Sequence, residues 1–298
     1  MLNTKNSLLD IGFERREKVI SGNILSELRV ISDVIVKFGL MLRIVGLGNR
    51  SLRNSTVFTG NLVLKHPLFA NVLQKVTPIA IEELGANCLV SEFKLVSSLN
   101  SNNFQMWWHR DFPFREDIDV RIDDKVALGM IIPLCDFNTH VGSTYMLPKS
   151  HKLTDFPADY RSGDFIGDGV QLESAMGDVW IYDPRTLHSG ARNNSSKMRH
   201  IILIEFVLPE FSARENFKYQ VERLPYVSDF LAGAKHLWST HVPDLSRFGS
   251  NRGWEHTSYR FFFSAIMVLN IKVQKLFLRV KLVLLRTIIN FKHSRNDD

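Results

Sequence analysis

Apolar positions near the start of the chain recur at helical spacing. Between residues 14 and 42 they stand three or four residues apart, which predicts one or two amphipathic helices. A second helix is predicted from about Pro67 to Glu83, interrupted at Pro78 and ended by Gly85. The stretch 47–61 between them has no such period and is predicted to be a loop.

The pattern changes after residue 86. From about 87 to 208 the segments are short, rich in β-branched and aromatic residues, and separated by Gly, Pro, Asn and Asp, which is typical of strands. The predicted strands are Cys88–Val96, Phe104–His109, Val126–Leu134, Ser143–Leu147, Asp178–Tyr182 and His200–Leu208. Strands at this spacing predict an all-β sandwich or barrel, with the preceding helices packed outside one sheet. The expected fold class is therefore mainly β within an α+β chain.

Composition favours an ordinary globular domain. Apolar residues make up 45% and charged residues 23% of the 298 positions, which predicts a packed core and excludes general disorder. Cys88 and Cys135 lie in apolar surroundings and are interpreted as free buried thiols of a reducing compartment. No apolar run approaches the roughly 18–20 residues of a membrane span. We expect a cytoplasmic protein without a secretory signal.

The net charge of +6 arises in residues 251–298, where a basic amphipathic helix is predicted from Arg260 to Lys292. Four basic residues share one face of that helix: Lys272, Lys275, Arg279 and Arg286. The helix either lies on an anionic membrane surface or docks on the domain or on a second copy of the chain. Both interpretations stay open. Because the basic residues are interleaved with aliphatic ones, we expect no nucleic-acid partner.

The strongest chemical signal is the segment Trp107-Trp108-His109-Arg110-Asp111 at the end of a predicted strand. Residues i and i+2 of a strand point to the same side, so His109 and Asp111 can bind one ion. With a further histidine they form the ligand set suited to non-haem Fe(II), and His188 is the candidate. Arg199 opens a later predicted strand and offers a fork of donors to a dicarboxylate.

These residues, in this order, resemble the phytanoyl-CoA dioxygenase-like branch of the 2-oxoglutarate oxygenases. The resemblance covers about 104–208, where residues 108–111 are similar to the family's Trp-His-x-Asp motif. Residues 142–152 resemble its Asn-Gly-x-Leu-x-x-x-Pro-Gly-Ser-His-Lys segment, and residues 177–193 resemble the stretch with its distal histidine. Arg199 falls where the family has its 2-oxoglutarate arginine. The resemblance implies a double-stranded β-helix (jelly-roll) core with these residues at its mouth.

The resemblance also implies a chemistry. Fe(II) would be bound by His109, Asp111 and His188 as catalytic metal ligands, Arg199 would bind the co-substrate 2-oxoglutarate, and O2 would be the oxidant. Halogenating relatives replace the metal aspartate with Ala or Gly, so Asp111 favours hydroxylation of a C–H bond. The expected substrate is a small molecule, a lipid or a glycolipid, with lipid-linked molecules favoured if the tail contacts a membrane.

The chain departs from the family pattern at three places, one of which is the loop 138–142, where it reads Asn-Thr-His-Val-Gly in place of Glu-Asn-Gly. Lys149 replaces the Gly of the Pro-Gly-Ser-His motif, and Gly190 stands where some relatives have a Ser that contacts 2-oxoglutarate. None of the three belongs to the ligand set, which is complete. Tyr182, on the predicted strand before the distal histidine, is interpreted as a core aromatic.

The predicted layout is one oxygenase domain over 1–250 followed by the basic tail 251–298. The parts of that domain are a helical region over 1–86, the jelly-roll core over about 87–210, and a helical and loop cover over 211–250. Two alternatives stay open: a cupin-type metal enzyme that does not use 2-oxoglutarate, and an inactive jelly-roll binding module with a membrane-surface tail. Arg199 argues against the first, and the complete ligand set argues against the second.

Overall fold

The computed structural model describes residues 7–44, 56–59, 67–98, 108–111, 124–153 and 167–211. The chain divides into two compact units, Met1–Asp244 and Leu245–Asp298, and every described residue belongs to the first. The predicted tail helix lies outside the described residues, as does the predicted cover segment beyond Phe211. The fold below is therefore that of the first unit.

Strands outnumber helices in the described ranges. The helices are α1 (Ser7–Ile11), α2 (Asn23–Ile44) and α3 (Pro67–Leu84). The strands are β1 (Phe13–Arg16), β2 (Thr56–Thr59), β3 (Leu89–Ser98), β4 (Ala127–Pro133), β5 (Thr144–Met146), β6 (Val170–Gln171), β7 (Val179–Tyr182), β8 (His188–Gly190) and β9 (Arg199–Val207). A 3-10 turn spans Ser150–Lys152. Of these helices, none has the length and apolar character that crossing a membrane requires.

The described strands pair antiparallel in two sheets. Six form a large sheet in the order β1-β7-β4-β9-β3-β2, and three form a small sheet in the order β6-β5-β8. At one end of the β3–β9 pair, Ser98 lies opposite Arg199. A bulge between Val90 and Glu92 shifts the register at the other end of this pair. The mainly β expectation is confirmed as an antiparallel sheet core with few helices.

A hydrophobic core joins the two sheets. Its members include Val96, Ile131 and Ile201 from the large sheet and Met146 from the small sheet. On the other face of the large sheet, Phe69 of α3 packs edge-on against Phe93 of β3, with ring centroids 6.4 Å apart. Strand β4 is buried along its whole length, as expected of a continuous apolar run covered on both faces.

Helix α2 is tied to the large sheet by polar contacts. The buried ring of His200 lies 2.6 Å from the Ser97 hydroxyl and 2.9 Å from a carboxylate oxygen of Asp33 on α2. A buried ring nitrogen needs such partners because leaving one unbonded costs about 1–3 kcal/mol. The contact fixes α2 against β3 and β9.

Two short strands correct the sequence prediction. The helical prediction began at residue 14, but Phe13–Arg16 form β1 and pair with β7, with Phe13 opposite Tyr182. Thr56–Thr59 was expected to be a loop, but it forms β2 against β3. Pairing with a distant strand decides the structure of such four-residue segments, and local periodicity does not report it.

Helix α3 continues through Pro78, where an interruption was predicted. Pro78 lies on the exposed side of the helix. The preceding Thr77 hydroxyl donates a hydrogen bond of 2.8 Å to the Leu73 carbonyl, which keeps that turn bonded. The helix ends at Gly85, whose φ of 92° is the left-handed conformation that terminates helices.

Candidate active site

His109 and Asp111 lie on a short extended segment, Trp108–Asp111; the rest of the strand predicted to lead into it lies outside the described residues. His109 forms an antiparallel bridge with His188, through N–O distances of 2.9 and 3.0 Å. The Asp111 amide donates to the Pro184 carbonyl at 3.1 Å. The chain that follows β7 therefore holds both residues through their backbone.

The three side chains predicted to bind a metal converge. His188 Nε2 lies 3.2 Å from Asp111 Oδ2, and His109 Nε2 lies 3.6 Å from Asp111 Oδ1. One donor atom from each residue can be chosen so that all three lie within 4.8 Å of one another. The side chain of His109 is 36% exposed, whereas those of Asp111 and His188 are 16% and 8% exposed. A ligand can therefore approach these three side chains from the side on which His109 is exposed.

The orientation of the His188 ring is fixed. Its Nδ1 lies 2.9 Å from the Thr186 carbonyl oxygen, which can only accept a hydrogen bond. Nδ1 must therefore carry a proton and donate it, which leaves Nε2 directed at Asp111. Such a contact to the ring nitrogen that does not bind the metal is how metal-ligating histidines are usually oriented.

The candidate ligands shift each other's pKa values. Burial by itself would raise the pKa of Asp111, but the charge of His188 and the nearby His109 bring it well below its usual value. Burial by itself would lower the pKa of His188, but the Asp111 carboxylate outweighs it and raises that pKa. Asp111 and His188 thus each favour the charged form of the other. A cation that binds here competes with a proton for the His188 Nε2.

A buried ion pair stabilises the turn between β7 and β8. Arg185 Nη2 donates to Asp183 Oδ2 at 2.6 Å, its Nε lies 2.9 and 3.0 Å from the two Asp183 oxygens, and both side chains are buried. Arg185 also donates to the Asp124 carbonyl at 2.8 Å. Pro184 and Thr186, which contact Asp111 and His188, belong to this turn. The pair therefore stabilises the turn whose residues contact Asp111 and His188.

Arg199 opens β9, as the sequence predicted, and its side chain is buried. Nη2 donates to the Ser98 hydroxyl at 2.8 Å and Nη1 donates to the Ala191 carbonyl at 3.2 Å, while the buried Nε has no hydrogen-bond partner. Burial lowers the pKa of Arg199 to about 10. No carboxylate of the described residues contributes to that pKa. This guanidinium is a charged group with only neutral partners.

The face of β3 and β9 that carries Ser98 and Arg199 is mostly apolar, with one charged pair. Val96 and Ile201 belong to the core cluster, and Leu203 packs on it. Lys94 follows on the same face of β3 by strand alternation, and its Nζ lies 2.8 Å from a Glu92 oxygen. Burial and, to a lesser extent, the Lys94 charge oppose the rise that Asp111 causes in the pKa of His188. Lys94 therefore lies close enough to His188 for their charges to interact.

Residues 49–201, about half of the chain, match the family described as Phytanoyl-CoA dioxygenase (PhyH). The chain belongs to this family. The matched stretch contains His109, Asp111, His188 and Arg199, so the whole candidate site falls inside the PhyH region.

One relative of this PhyH chain is named as a dioxygenase. The iron/alpha-ketoglutarate-dependent dioxygenase ausO of Aspergillus calidoustus is 26% identical over 169 residues, which are 52% of this chain and 55% of that protein. The chain spans about half the length of the curated relatives it matches, or somewhat less.

Solved structures share the fold. The epimerase SnoN in complex with Fe3+, alpha ketoglutarate and nogalamycin RO has a TM-score of 0.54 at 14% identity, over 80% of this chain and 94% of that one. The alpha-ketoglutarate-dependent carbocyclase SnoK has a TM-score of 0.53 at 18% identity, over 68% and 82%. At such identities the likeness concerns the fold alone.

The structure gives a reason for the glycine in the Pro-Gly-Ser-His motif of the PhyH family. Lys149, which replaces that glycine here, has a φ of 64° in the left-handed region. An L-residue pays roughly 1–2 kcal/mol for this conformation. The turn forms nevertheless, and the Lys149 amide donates to the Ile11 carbonyl at 2.7 Å.

The same motif supports the metal cluster of this PhyH chain. The Ser150 hydroxyl accepts a hydrogen bond of 2.8 Å from the Leu187 amide, next to His188. Arg110, between the two other candidate ligands, donates to the carbonyls of Ser150 and Leu153 at 2.9 and 2.7 Å. The Ser150 turn therefore connects both segments that carry the cluster.

Tyr182 contacts a candidate metal ligand, and the sequence interpretation missed this contact. It is buried in the core as expected, but its hydroxyl also donates a hydrogen bond of 2.5 Å to Asp111 Oδ2. A signal for this contact exists in the sequence. Gly129 interrupts an otherwise apolar predicted strand, and a glycine inside a strand often marks the close approach of another group.

Proposed function

We propose that this chain is an Fe(II)- and 2-oxoglutarate-dependent oxygenase that hydroxylates a C–H bond of a small-molecule substrate. The proposal depends on one observation: a His-Asp-His cluster and a buried arginine with only neutral partners lie in the same unit. Membership of the PhyH family and the name of the Aspergillus relative support it. We infer further that the two sheets are a double-stranded β-helix within an oxygenase domain of residues 1–250.

The donor set fits Fe(II). Two imidazoles and one carboxylate form the facial triad of non-haem iron oxygenases, which leaves coordination positions free for co-substrate and oxygen. His109, Asp111 and His188 would hold the ion, and the Thr186 contact already aims the His188 Nε2 at the cluster. The exposed edge of His109 leaves the free positions accessible.

Arg199 fits a dicarboxylate. In this proposal it binds the carboxylate of 2-oxoglutarate that lies away from the metal. A guanidinium that is buried without an acid gains more from an incoming carboxylate than a solvated one, since its own hydration is already lost. The free Nε offers a donor for this contact.

The remaining steps concern positioning. When bound, Fe(II) supplies the activation of O2, for which protein side chains alone are not suited. Arg199 and the cluster would hold the two ends of the co-substrate, and the apolar wall of Val96, Ile201 and Leu203 would exclude water between them. Asp111 occupies the position that halogenating relatives leave to chloride, which supports oxidation of a C–H bond without halide transfer.

The test is anaerobic binding of Fe(II) and 2-oxoglutarate followed by visible absorption. A keto acid bound to iron through two oxygens should give a weak charge-transfer band in wild type. The band should disappear in His109→Ala and should require more 2-oxoglutarate in Arg199→Ala. His140→Ala and Arg192→Ala, at exposed positions, are matched controls that should behave as wild type.

Each other outcome contradicts the proposal in a distinct way. Iron that binds without any band on addition of 2-oxoglutarate would favour a cupin-type metal enzyme. A wild type that binds no iron would favour an inactive binding module. Where the band is present, consumption of O2 during a screen of small molecules, with lipid-linked ones included, identifies the substrate.

A further inference from the structure

Tyr182 contacts two of the three candidate metal ligands. Its hydroxyl donates to Asp111 Oδ2 at 2.5 Å, and its ring stands edge-on to His188 with centroids 5.3 Å apart. The residue ends β7, between Phe13 of β1 and Gly129 of β4 in the register of the large sheet. Its ring is therefore held by the sheet while its hydroxyl reaches the metal cluster.

Gly129 provides the space for this ring. A Cβ atom at position 129 would lie 2.3 Å from Cζ of Tyr182 and 2.7 Å from its hydroxyl oxygen. Glycine weakens a strand interior, because it has no side chain to pack and loses more backbone entropy on folding. The φ of Gly129 is not positive, so its conformation does not require glycine. The strand thus carries a destabilising residue at the point where the phenol crosses it.

The hydrogen bond divides the roles of the two oxygens of Asp111. A carboxylate can bind a metal through one oxygen or through both, and both together occupy one more coordination position. An oxygen that accepts a phenol proton at 2.5 Å is fixed in direction and is a weaker metal donor. Hydrogen bonds of this kind orient ligating carboxylates and change metal affinity.

We propose that Tyr182 is a positioning residue that restricts Asp111 to one metal-binding oxygen and so keeps a coordination position open. This inference depends on the proposed function, because it concerns the same ligand set. It goes beyond that function in assigning a role to a residue outside the ligand set. The competing explanation is that Tyr182 only fills the core, in which case its hydroxyl is irrelevant to the metal.

The experiment compares Tyr182→Phe with wild type by titration with Co(II), whose visible spectrum reports coordination number without turnover. Phe keeps the ring against Gly129 and removes only the hydroxyl. We expect the dissociation constant for Co(II) to rise roughly 10–100-fold. We also expect weaker and shifted absorption bands, because the released carboxylate can add its second oxygen to the metal.

The matched control is Tyr145→Phe. Tyr145 lies on β5 of the small sheet and its ring packs against Trp108, the residue before His109. Loss of its hydroxyl should leave Co(II) affinity and spectrum unchanged. Gly129→Ala tests the same contact from the neighbouring strand β4, since the added methyl group must displace the Tyr182 ring. It should change the Co(II) spectrum in the same direction as Tyr182→Phe.

The outcomes separate this inference from the proposed function. If wild type binds Co(II) and Tyr182→Phe matches it in affinity and spectrum, the positioning role is overturned while the oxygenase proposal stands. A changed melting temperature with an unchanged spectrum also overturns the positioning role, because a core-filling residue would affect stability alone. If wild type binds neither Co(II) nor Fe(II), the function and the positioning role are both overturned.

Discussion

The two ends of the candidate site accommodate buried charge in opposite ways. At the metal end, Asp111 and His188 lie 3.2 Å apart and each favours the charged form of the other, while the buried Asp183–Arg185 ion pair stabilises the adjacent turn. At the arginine end, Arg199 is 5% exposed and has only a hydroxyl and a carbonyl as hydrogen-bond partners. The buried charges at the metal end have partners of opposite charge before any ligand binds, whereas Arg199 has none among the described residues.

This difference separates stability from ligand affinity. A buried ion pair becomes costly when one partner is removed, because the other charge stays buried without compensation. A buried charge without an opposite charge is already costly, and that free energy is recovered only when an anion binds. The metal end should therefore dominate the stability of the metal-free protein, and the arginine end should dominate its response to a dicarboxylate.

The largest expected effect on stability is at the Asp183–Arg185 ion pair, in the turn next to the candidate metal ligands. Asp183→Ala leaves the buried Arg185 without its carboxylate, which should lower the free energy of unfolding by about 3–5 kcal/mol. Urea denaturation of the metal-free protein measures it. Asp136→Ala, at an exposed position, should change stability by no more than about 0.5 kcal/mol. A loss below about 1 kcal/mol in Asp183→Ala would mean that the pair does not brace the turn.

The opposite sign is expected at the arginine end. Arg199→Met removes a buried charge and keeps most of the side-chain length, so the free energy of unfolding should change little or rise by up to about 2 kcal/mol. With metal present, 2-oxoglutarate should raise the melting temperature of wild type but not of this variant.

The control for that variant is Lys197→Met, which replaces an exposed cation two residues earlier. It should change stability by less than about 0.5 kcal/mol and keep the response to 2-oxoglutarate. A loss of more than about 2 kcal/mol in Arg199→Met would show that the arginine is a structural residue whose two hydrogen bonds outweigh its burial. The contrast between the two ends would then be wrong.

The sequence predicted best what short-range pattern determines. The central strands β3, β4 and β9 were located within two residues. Strands β4 and β9 are nearly continuous apolar runs, as strands covered on both faces give. The short segment with His109 and Asp111 could be recognised because alternation along a strand fixes which side chains share a face. His188 and Arg199 could be added only through the order of the motifs.

Features that depend on distant pairing escaped prediction. The four-residue strands β1 and β2 have too few positions to show a period, and their partners are far along the chain. The contact of Tyr182 with Asp111 joins residues 71 positions apart, and each looks ordinary in its own segment. The domain boundary at 250 and the tail helix stay predictions.

A smaller effect tests the turn that links the two segments of the metal end. Lys149→Gly relieves the left-handed backbone strain of roughly 1–2 kcal/mol but adds entropy to the unfolded chain. The net expectation is a gain of about 0.5 kcal/mol, measured by urea denaturation. Lys152→Gly, in the same turn without a positive φ, should lose stability. A loss in Lys149→Gly as well would show that the lysine side chain stabilises the turn.

The smallest expected effect uses Cys135 to sense the charge of Arg199. Burial raises the pKa of the Cys135 thiol, while the Arg199 charge acts against that rise. Arg199→Met should therefore raise the pKa further and slow alkylation of this thiol at pH 8, because less of it is present as thiolate. Cys88 is the internal control, because burial raises its pKa to about 11 without any contribution from Arg199. Mass spectrometry after iodoacetamide treatment compares both thiols in wild type, Arg199→Met and Lys197→Met.

Equal slowing of Cys135 in both variants, or faster alkylation in Arg199→Met, would mean that Cys135 does not report the buried charge. Slowing confined to Arg199→Met would show that the guanidinium carries an uncompensated charge in the ligand-free protein, which is the property that separates the two ends.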